Sequence, residues 1–158
     1  MLLIYFVLLS FLSLISALKL GSTEAYFNRD GRVNIANKNW MSNISDSVYL
    51  NHLSLPGTHD TMAFYGGPLV QTQILTLDSQ LRVGIRAFDI RCRHINDRFE
   101  IHHGPIYQKS DMDKVLQSMV TFLGNFPTEV LLVRIKEEHI PKNNQRSFAD
   151  TEWFGVKL

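Results

Sequence analysis

The sequence has little cysteine and almost no net charge. Cys92 is the only cysteine among 158 residues, so no internal disulfide can form and stability has to come from packing. We expect Cys92 to be a small buried apolar residue, the alternative being a reactive or intermolecular thiol. The 16 Lys and Arg nearly balance 15 Asp and Glu, giving a formal charge of +1. Nucleic acid is therefore not expected as a partner, and any function has to be local.

Several familiar motifs are also missing. The sequence has no glycine-rich phosphate loop, paired-cysteine metal motif, internal repeat or low-complexity run. These absences exclude P-loop nucleotide chemistry, zinc-finger sites and repeat architectures. Apolar residues make up 45% of the chain, which is enough to build a globular core.

The N-terminus is an apolar run without charge. Residues 1–17 are predicted to be a signal peptide, because Ser16 and Ala17 are the small residues that a signal peptidase prefers and Lys19 follows. We therefore expect a secreted protein. An uncleaved anchor is the alternative, since no Lys or Arg precedes the run. In an exported chain Asn43, which opens the single Asn-Ile-Ser sequon, is the expected glycosylation site.

The rest of the chain divides into a polar segment and a domain. Residues 18–39 are rich in Asn and show little periodicity, whereas residues 40–158 are predicted to form the domain. A first strand is predicted across the leucines of residues 50–55, closed by Pro56 and Gly57. Residues 84–92 alternate strictly, with two faces: Arg86, Phe88, Ile90 and Cys92 on one, and Ile85, Ala87, Asp89 and Arg91 on the other.

Two further strands are predicted at residues 99–103 and 129–137. The connection 93–98 is too short for a crossover, so we expect a hairpin that turns at Asn96-Asp97 and brings Arg91 close to His103. A helix is predicted over 110–124, capped by Ser110 or Asp111 and ended by Gly124 and Pro127. The order strand, helix, strand indicates parallel pairing through a crossover, as in an α/β fold.

His59 and Asp60 follow the first predicted strand in a glycine-containing turn. Barrel enzymes keep catalytic groups at such positions. A neutral imidazole there can take a proton from an alcohol, and a carboxylate can orient a second imidazole. The alternative is a plain turn in which Asp60 caps a helix.

Asp89 and Arg91 share one strand face, which indicates either a structural salt bridge or an open site. Arginine can grip phosphate oxygens with two donors, and two histidines beside it would supply the base and the acid for phosphodiester cleavage. The same set could bind a metal. However, the spacing of His59, Asp89 and His103 matches no compact ligand motif, so neither a metal nor another cofactor is expected.

Four segments together carry a family resemblance: LSLPGTHDT (53–61), GIRAFDIR (84–91), IHHGPIY (101–107) and FPTEVLLVRIKEE (126–138). In this order they resemble the X domain of phosphatidylinositol-specific phospholipase C, of the bacterial and small eukaryotic type. The resemblance implies a distorted TIM-type barrel. Because the sequence ends just after the fourth predicted strand, we expect the N-terminal half of such a barrel, with parallel strands, crossover helices and one hairpin.

The resemblance also implies roles. His59 would be the general base and His103 the general acid oriented by Asp60. Arg91 stands where calcium-dependent relatives hold a metal-binding carboxylate, which implies metal-independent cleavage of phosphatidylinositol, or a glycosylated form of it, at a membrane surface. The products would be diacylglycerol and a cyclic inositol phosphate.

Two more residues match substrate-binding positions of the family. Asp89 would support the arginine and Lys136 would contact the polar head group, the alternative for Lys136 being a solvated charge at a strand end. The carboxylate that orients His59 in the family cannot be assigned in this sequence. We therefore expect little turnover from the chain alone, and a catalytically inactive relative that binds inositol phosphate or lipid is the alternative function.

Overall fold

The computed structural model describes residue 34 and residues 36–155. The predicted signal peptide, residues 1–17, lies outside the described residues. The described elements are two 3-10 turns, Trp40–Asn43 and Leu50–His52, followed by β1 Gly57–Thr58, α1 Leu77–Val83, β2 Ala87–Ile95, β3 Arg98–His103, β4 Ile106–Asp111, α2 Met112–Asn125, β5 Leu132–Glu137 and α3 Phe148–Gly155. In this part of the chain, no helix is long and apolar enough to cross a membrane. Asn43 is exposed.

Strand β2 is the centre of the sheet. Its first residues pair in parallel with β1, and its last residues pair antiparallel with β3. The other edge of β2 pairs in parallel with β5 over residues 87–92. Strand β4 extends the sheet antiparallel to β3. The sheet is therefore mixed, and its curled form fits part of a barrel.

The predicted hairpin is confirmed. Strands β2 and β3 are joined by Asn96 and Asp97, whose φ angles of 51° and 57° are those of a tight two-residue turn with the twist that hairpins favour. Cys92 pairs with Ile101 in the register, and Arg91 and His103 both reach the same oxygen of Asp60, so the two lie close together as the length of the connection predicted.

Two strand predictions were wrong in detail. The leucine-rich stretch 50–55 holds a 3-10 turn at Leu50–His52, and the parallel pairing with β2 starts only at Gly57. The second error concerns strand β4, which the sequence did not reveal. Gly104 adopts a φ of 53° and reverses the chain after β3, so helix α2 follows β4, and β5 pairs with β2 rather than with β3.

Helix α2 covers the apolar face of the sheet. Asp111 caps it by accepting a hydrogen bond from the Lys114 N–H, as one of the two predicted caps. The helix ends at Asn125, because Pro127 disfavours helical backbone at Phe126, and Gly124 stays helical rather than ending it. The core between helices and sheet contains Leu81, Phe88, Ile90, Cys92, Ile101, Val115, Met119 and Phe122. Cys92 is fully buried, as predicted.

A buried ion pair between Arg86 and Glu129 lies at the N-terminal end of β2. The Arg86 side chain donates to Glu129 Oε2 through Nε at 2.8 Å, and its Nη2 lies 2.7 Å from the same oxygen. Further Arg86 N–H groups donate to main-chain carbonyls of Leu81 and Ile85, and the guanidinium lies 4.7 Å from the ring centroid of Phe122. Every charge here has partners, which is how a fully buried arginine is tolerated.

Candidate active site

The turn after β1 separates the side chains of His59 and Asp60. Asp60 has a φ of 49°, a left-handed conformation that turns its side chain into the protein, where it is 4% exposed. The His59 side chain is 70% exposed. Two hydrogen bonds tie the turn to β2, since the Asp60 N–H donates to the Asp89 carboxylate and the Thr61 N–H to the Asp89 carbonyl. No helix follows this turn, so Asp60 is not a helix cap.

Arg91 lies at the centre of the site. Its side chain is 13% exposed, and its guanidinium contacts three carboxylates: Asp60 Oδ2 at 3.1 Å, Asp89 Oδ2 at 3.1 Å and Glu138 Oε1 at 3.8 Å. The same Nη2 that reaches Asp89 lies 3.3 Å from His59 Nε2. Thus one rigid cation links the exposed histidine to the buried acids.

Asp89 is the most heavily bonded of these carboxylates. It accepts from Arg91 Nε at 3.1 Å, from Arg134 Nη1 at 2.7 Å and from the Asp60 N–H at 3.2 Å. Burial opposes its ionisation, but these donors together hold the pKa of Asp89 below its usual value. Its Oδ2 also lies 3.3 Å from His59 Nδ1, so Asp89 is the carboxylate that contacts the exposed imidazole.

His103 reaches the cluster from the end of β3. Its Nδ1 lies 2.7 Å from the Val70 carbonyl oxygen and 3.6 Å from Asp60 Oδ2. Arg91 and His103 therefore meet the same oxygen of Asp60. Burial raises the pKa of the Asp60 carboxyl, although the neighbouring His103 and Arg91 act in the opposite direction. The structure thus brings together five of the predicted site residues: His59, Asp60, Asp89, Arg91 and His103.

Lys136 joins the site from β5, where it pairs with Arg91 across the strands. Its Nζ donates to Glu138 Oε2 at 3.0 Å, and its side chain is 41% exposed. Lys136 is thus not freely solvated, and Glu138 holds its side chain beside the other predicted residues.

Glu138 is a site residue that the sequence did not reveal. It accepts the Gly104 N–H at 3.2 Å as well as Lys136, and so connects the end of β5 to the turn after His103. Burial disfavours its charge, but Lys136, the Gly104 N–H and Arg91 lower the pKa of Glu138. One feature of the sequence indicates it: Glu138 follows Lys136 by two residues, so its side chain is expected on the same face as Lys136, just past the end of the strand.

Arg134 is the second missed residue. It faces Asp89 directly in the β2–β5 register and donates to it at 2.7 Å, while 63% of its side chain stays exposed. Together with His59 and Asp89 it lines an open groove of about 390 Å³. Once β2 and β5 are paired in parallel, this position follows from the alternation of both strands.

The site face carries three cations, each of which also contacts a carboxylate. Arg91, Arg134 and Lys136 bring three positive charges to one sheet face, next to an exposed imidazole that can exchange protons. Within residues 36–151, no group of three or more His, Cys, Asp or Glu side chains is placed to hold a metal ion. The carboxylates nearest the histidines, Asp60 and Asp89, are both engaged by Arg91.

The family model PI-PLC X matches residues 46–150, a range that contains every charged residue of this site. The chain belongs to the PI-PLC X family. This PI-PLC X chain is 38% identical over 129 residues to the 1-phosphatidylinositol phosphodiesterase of Listeria monocytogenes, a match that covers 77% of the chain and 39% of the relative.

Two solved structures resemble the fold of this PI-PLC X chain. The phosphatidylinositol-specific phospholipase C from Listeria monocytogenes superposes with a TM-score of 0.62 at 36% identity, over 75% of the chain and 43% of that structure. The Staphylococcus aureus enzyme superposes with a TM-score of 0.70 at 26% identity, over 77% of the chain and 42% of that structure. The chain thus spans about two fifths of the length of the relatives it matches.

Proposed function

We propose that this chain carries the acid–base half of a phosphodiesterase that cleaves phosphatidylinositol, or a glycosylated form of it, at a membrane surface. The observation that carries the proposal is the position of Arg91, 3.3 Å from His59 and in an ion pair with Asp60, which also faces His103. Membership of the PI-PLC X family and the 1-phosphatidylinositol phosphodiesterase relative support the choice of substrate.

The reaction follows from the chemistry of the two histidines. His59 takes the proton from the inositol 2-hydroxyl, and the resulting oxygen attacks phosphorus. The bond from phosphorus to the diacylglycerol oxygen breaks, and His103 delivers a proton to that leaving oxygen. Diacylglycerol and a cyclic inositol phosphate result, with one proton taken up at His59 and one released at His103.

Fixed charges stabilise the transition state in this proposal. Arg91 offers a planar pair of donors to the phosphoryl oxygens, where charge accumulates during attack. Asp89 holds that guanidinium through Nε at 3.1 Å and contacts His59, so it supports both groups. Lys136 provides a second cation for the head group. No step requires a metal or another cofactor.

A binding module without turnover is the second candidate. It is favoured by the environment of His59, whose nearest carboxylate, Asp89, is already engaged by two arginines and is therefore a weak proton partner. In that case the cationic face would bind inositol phosphate or the lipid head group without cleaving it.

We further propose export of the chain, with glycosylation at Asn43, as residues 1–17 predict.

Phosphorus NMR of the first product tests the proposal. The sample is a hybrid in which this chain replaces the matching 129 residues of the Listeria enzyme, incubated with phosphatidylinositol vesicles with and without a chelator. We expect a cyclic phosphodiester as first product, at the same rate in chelator. An acyclic monophosphate as first product, or loss of cleavage in chelator that calcium restores, would contradict it. Head-group binding without cleavage would favour the second candidate.

A further inference from the structure

Asp89 divides its two carboxylate oxygens between the site and Arg134. Its Oδ2 lies 3.1 Å from both Nε and Nη2 of Arg91, accepts the Asp60 N–H at 3.2 Å and lies 3.3 Å from His59 Nδ1. Its Oδ1 accepts from Arg134 Nη1 at 2.7 Å, the shortest of these distances. These contacts with the predicted site residues thus run through one oxygen, while Arg134 holds the other.

This geometry differs from the usual pairing of an arginine with a carboxylate. A guanidinium commonly forms a fork with a carboxylate, in which two nitrogens meet two different oxygens. Here Nε and Nη2 of Arg91 meet the same oxygen of Asp89, and Arg134 occupies the other. Without Arg134 the carboxylate would be free to rotate and form the fork, and the Arg91 guanidinium would turn toward Asp89 and away from Asp60 and His59.

An exposed ion pair would be the simplest role for Arg134, whose side chain is 63% exposed. Arg98 and Asp113 form such a pair at 3.0 Å, with side chains 72% and 71% exposed, and pairs of this kind contribute little to stability. The pair of Arg134 with Asp89 differs in its acceptor, because the Asp89 side chain is only 12% exposed and contacts Arg91. Arg98 is therefore a matched control for Arg134.

We propose that Arg134 is a positioning residue for the cleavage reaction, acting through Asp89 on Arg91. By holding Oδ1 it keeps Oδ2 turned toward the site, so that the Nη atoms of Arg91 stay directed at Asp60 and His59. Only the catalytic consequence rests on the proposed function, because the hydrogen bond itself exists without substrate. A lysine should suffice at this position, since a single nitrogen, Nη1, makes the contact with Asp89.

The position of Arg91 can be followed in the full chain labelled with ¹⁵N-arginine. The Nε–H signal of Arg91, assigned by its loss in Arg91→Lys, is compared among the parent, Arg134→Met, Arg134→Ser, Arg134→Lys and Arg98→Met. Thermal unfolding of each variant shows that it is folded. The serine variant is a second truncation, measured in case the methionine variant does not fold.

We expect the Nε–H signal of Arg91 to move in both truncation variants, because a carboxylate that rotates to form the fork becomes a different acceptor for this proton. Arg134→Lys and Arg98→Met should leave the signal in place. A signal at the parental position in a folded truncation variant overturns the proposal, and so does an equal displacement in Arg98→Met.

The catalytic consequence is measured separately in the Listeria hybrid. Arg134→Met should lower kcat by about 100-fold with KM nearly unchanged, since a misplaced Arg91 affects the transition state rather than binding. Arg134→Lys should recover most of the parental kcat, and Arg98→Met should retain it. A rise in KM at the parental kcat would overturn the positioning role. If the parent hybrid does not cleave at all, the proposed function fails, whereas the NMR comparison still decides whether Arg134 positions Arg91.

Discussion

Arg86 and Arg91 lie five residues apart along the same stretch of chain, yet their surroundings differ in every respect. Arg86 directly precedes β2 on the core face and is fully buried. Its N–H groups donate to Glu129 and to main-chain carbonyls. Arg91 lies on the opposite face, and 13% of its side chain is exposed. It contacts three carboxylates, each of which also contacts another group: Asp60 contacts His103, Asp89 contacts His59, and Glu138 contacts Lys136.

The difference separates a structural charge from a charge in the candidate active site. At Arg86 the hydrogen bonds are complete, so no group is left to bind a ligand. At Arg91 the cluster is open, because the buried Asp60 Oδ2 is held by ion-pair contacts with Arg91 and His103 rather than by a hydrogen bond, and His59 is exposed. Groups held in such an unsatisfied state cost stability and are typical of functional sites.

We expect the largest effect on activity from replacing the two histidines of the site. His59→Ala and His103→Ala should each lower kcat/KM of the Listeria hybrid by about 100 to 10,000-fold, because each would remove one proton-transfer group of the proposed mechanism. Stability should change little in His59→Ala, since that side chain is 70% exposed. His52→Ala, which replaces an exposed histidine outside the cluster, is the control. Activity within a few-fold of the parent in His59→Ala would remove this histidine from the mechanism.

For the buried pair of Arg86 and Glu129 we expect the main effect on stability rather than on activity. Glu129→Ala should lower the free energy of unfolding of the chain by about 3 to 5 kcal/mol, because it leaves the Arg86 charge buried without its partner. The double variant Arg86→Met/Glu129→Leu should be less destabilised than Glu129→Ala, since no charge then remains. Urea unfolding of the three proteins measures both effects. A loss below about 1 kcal/mol in Glu129→Ala, as for exposed pairs, would show that the pair is not structural.

Asp89 and Asp60 should make opposite contributions to the pH dependence of stability. The pKa of Asp89 is lowered in the folded chain, so its stabilising effect is present above the unfolded value of 3.8 and is lost as the pH falls further. The pKa of Asp60 is raised, so its ionisation costs stability as the pH rises from 3.8 through the folded pKa.

Thermal unfolding across this pH range therefore separates the two variants. At neutral pH Asp89→Asn should lower the melting temperature and Asp60→Asn should raise it, and both differences should shrink toward pH 3.8 and below. Arg98→Lys, which changes an exposed pair with Asp113, is the control, and its difference in melting temperature from the parent should not change with pH in this way. Destabilisation by Asp60→Asn at neutral pH would contradict the assignment of a costly buried charge.

Much of the central hairpin could be predicted from the sequence. Strict alternation in residues 84–92 placed Phe88 and Cys92 in the core and Asp89 and Arg91 on the site face, because the side-chain period of a strand is two. The length of the 93–98 connection predicted the turn at Asn96-Asp97 and hence the register. Local rules sufficed where the pairing partners were close in sequence.

The remaining features depend on pairing between distant segments. Strand β4 is short and polar, and only the reversal at Gly104 places it beside β3. Helix α1 was missed although Thr76 caps it and Gly84 ends it in a left-handed conformation. Arg134 and Glu138 became visible as site residues once β5 was paired with β2. The catalytic roles of the histidines stay predictions.

The most direct test of the account exchanges each arginine for lysine and measures both cleavage and stability. Arg91→Lys keeps the charge and removes the planar two-donor grip, so it should lower cleavage by the hybrid about 100 to 1,000-fold while thermal unfolding changes little. Arg86→Lys should lower the unfolding temperature and leave cleavage by the folded fraction unchanged. Full cleavage by Arg91→Lys, or loss of cleavage in a stable Arg86→Lys protein, would contradict the division between a chemical and a structural arginine.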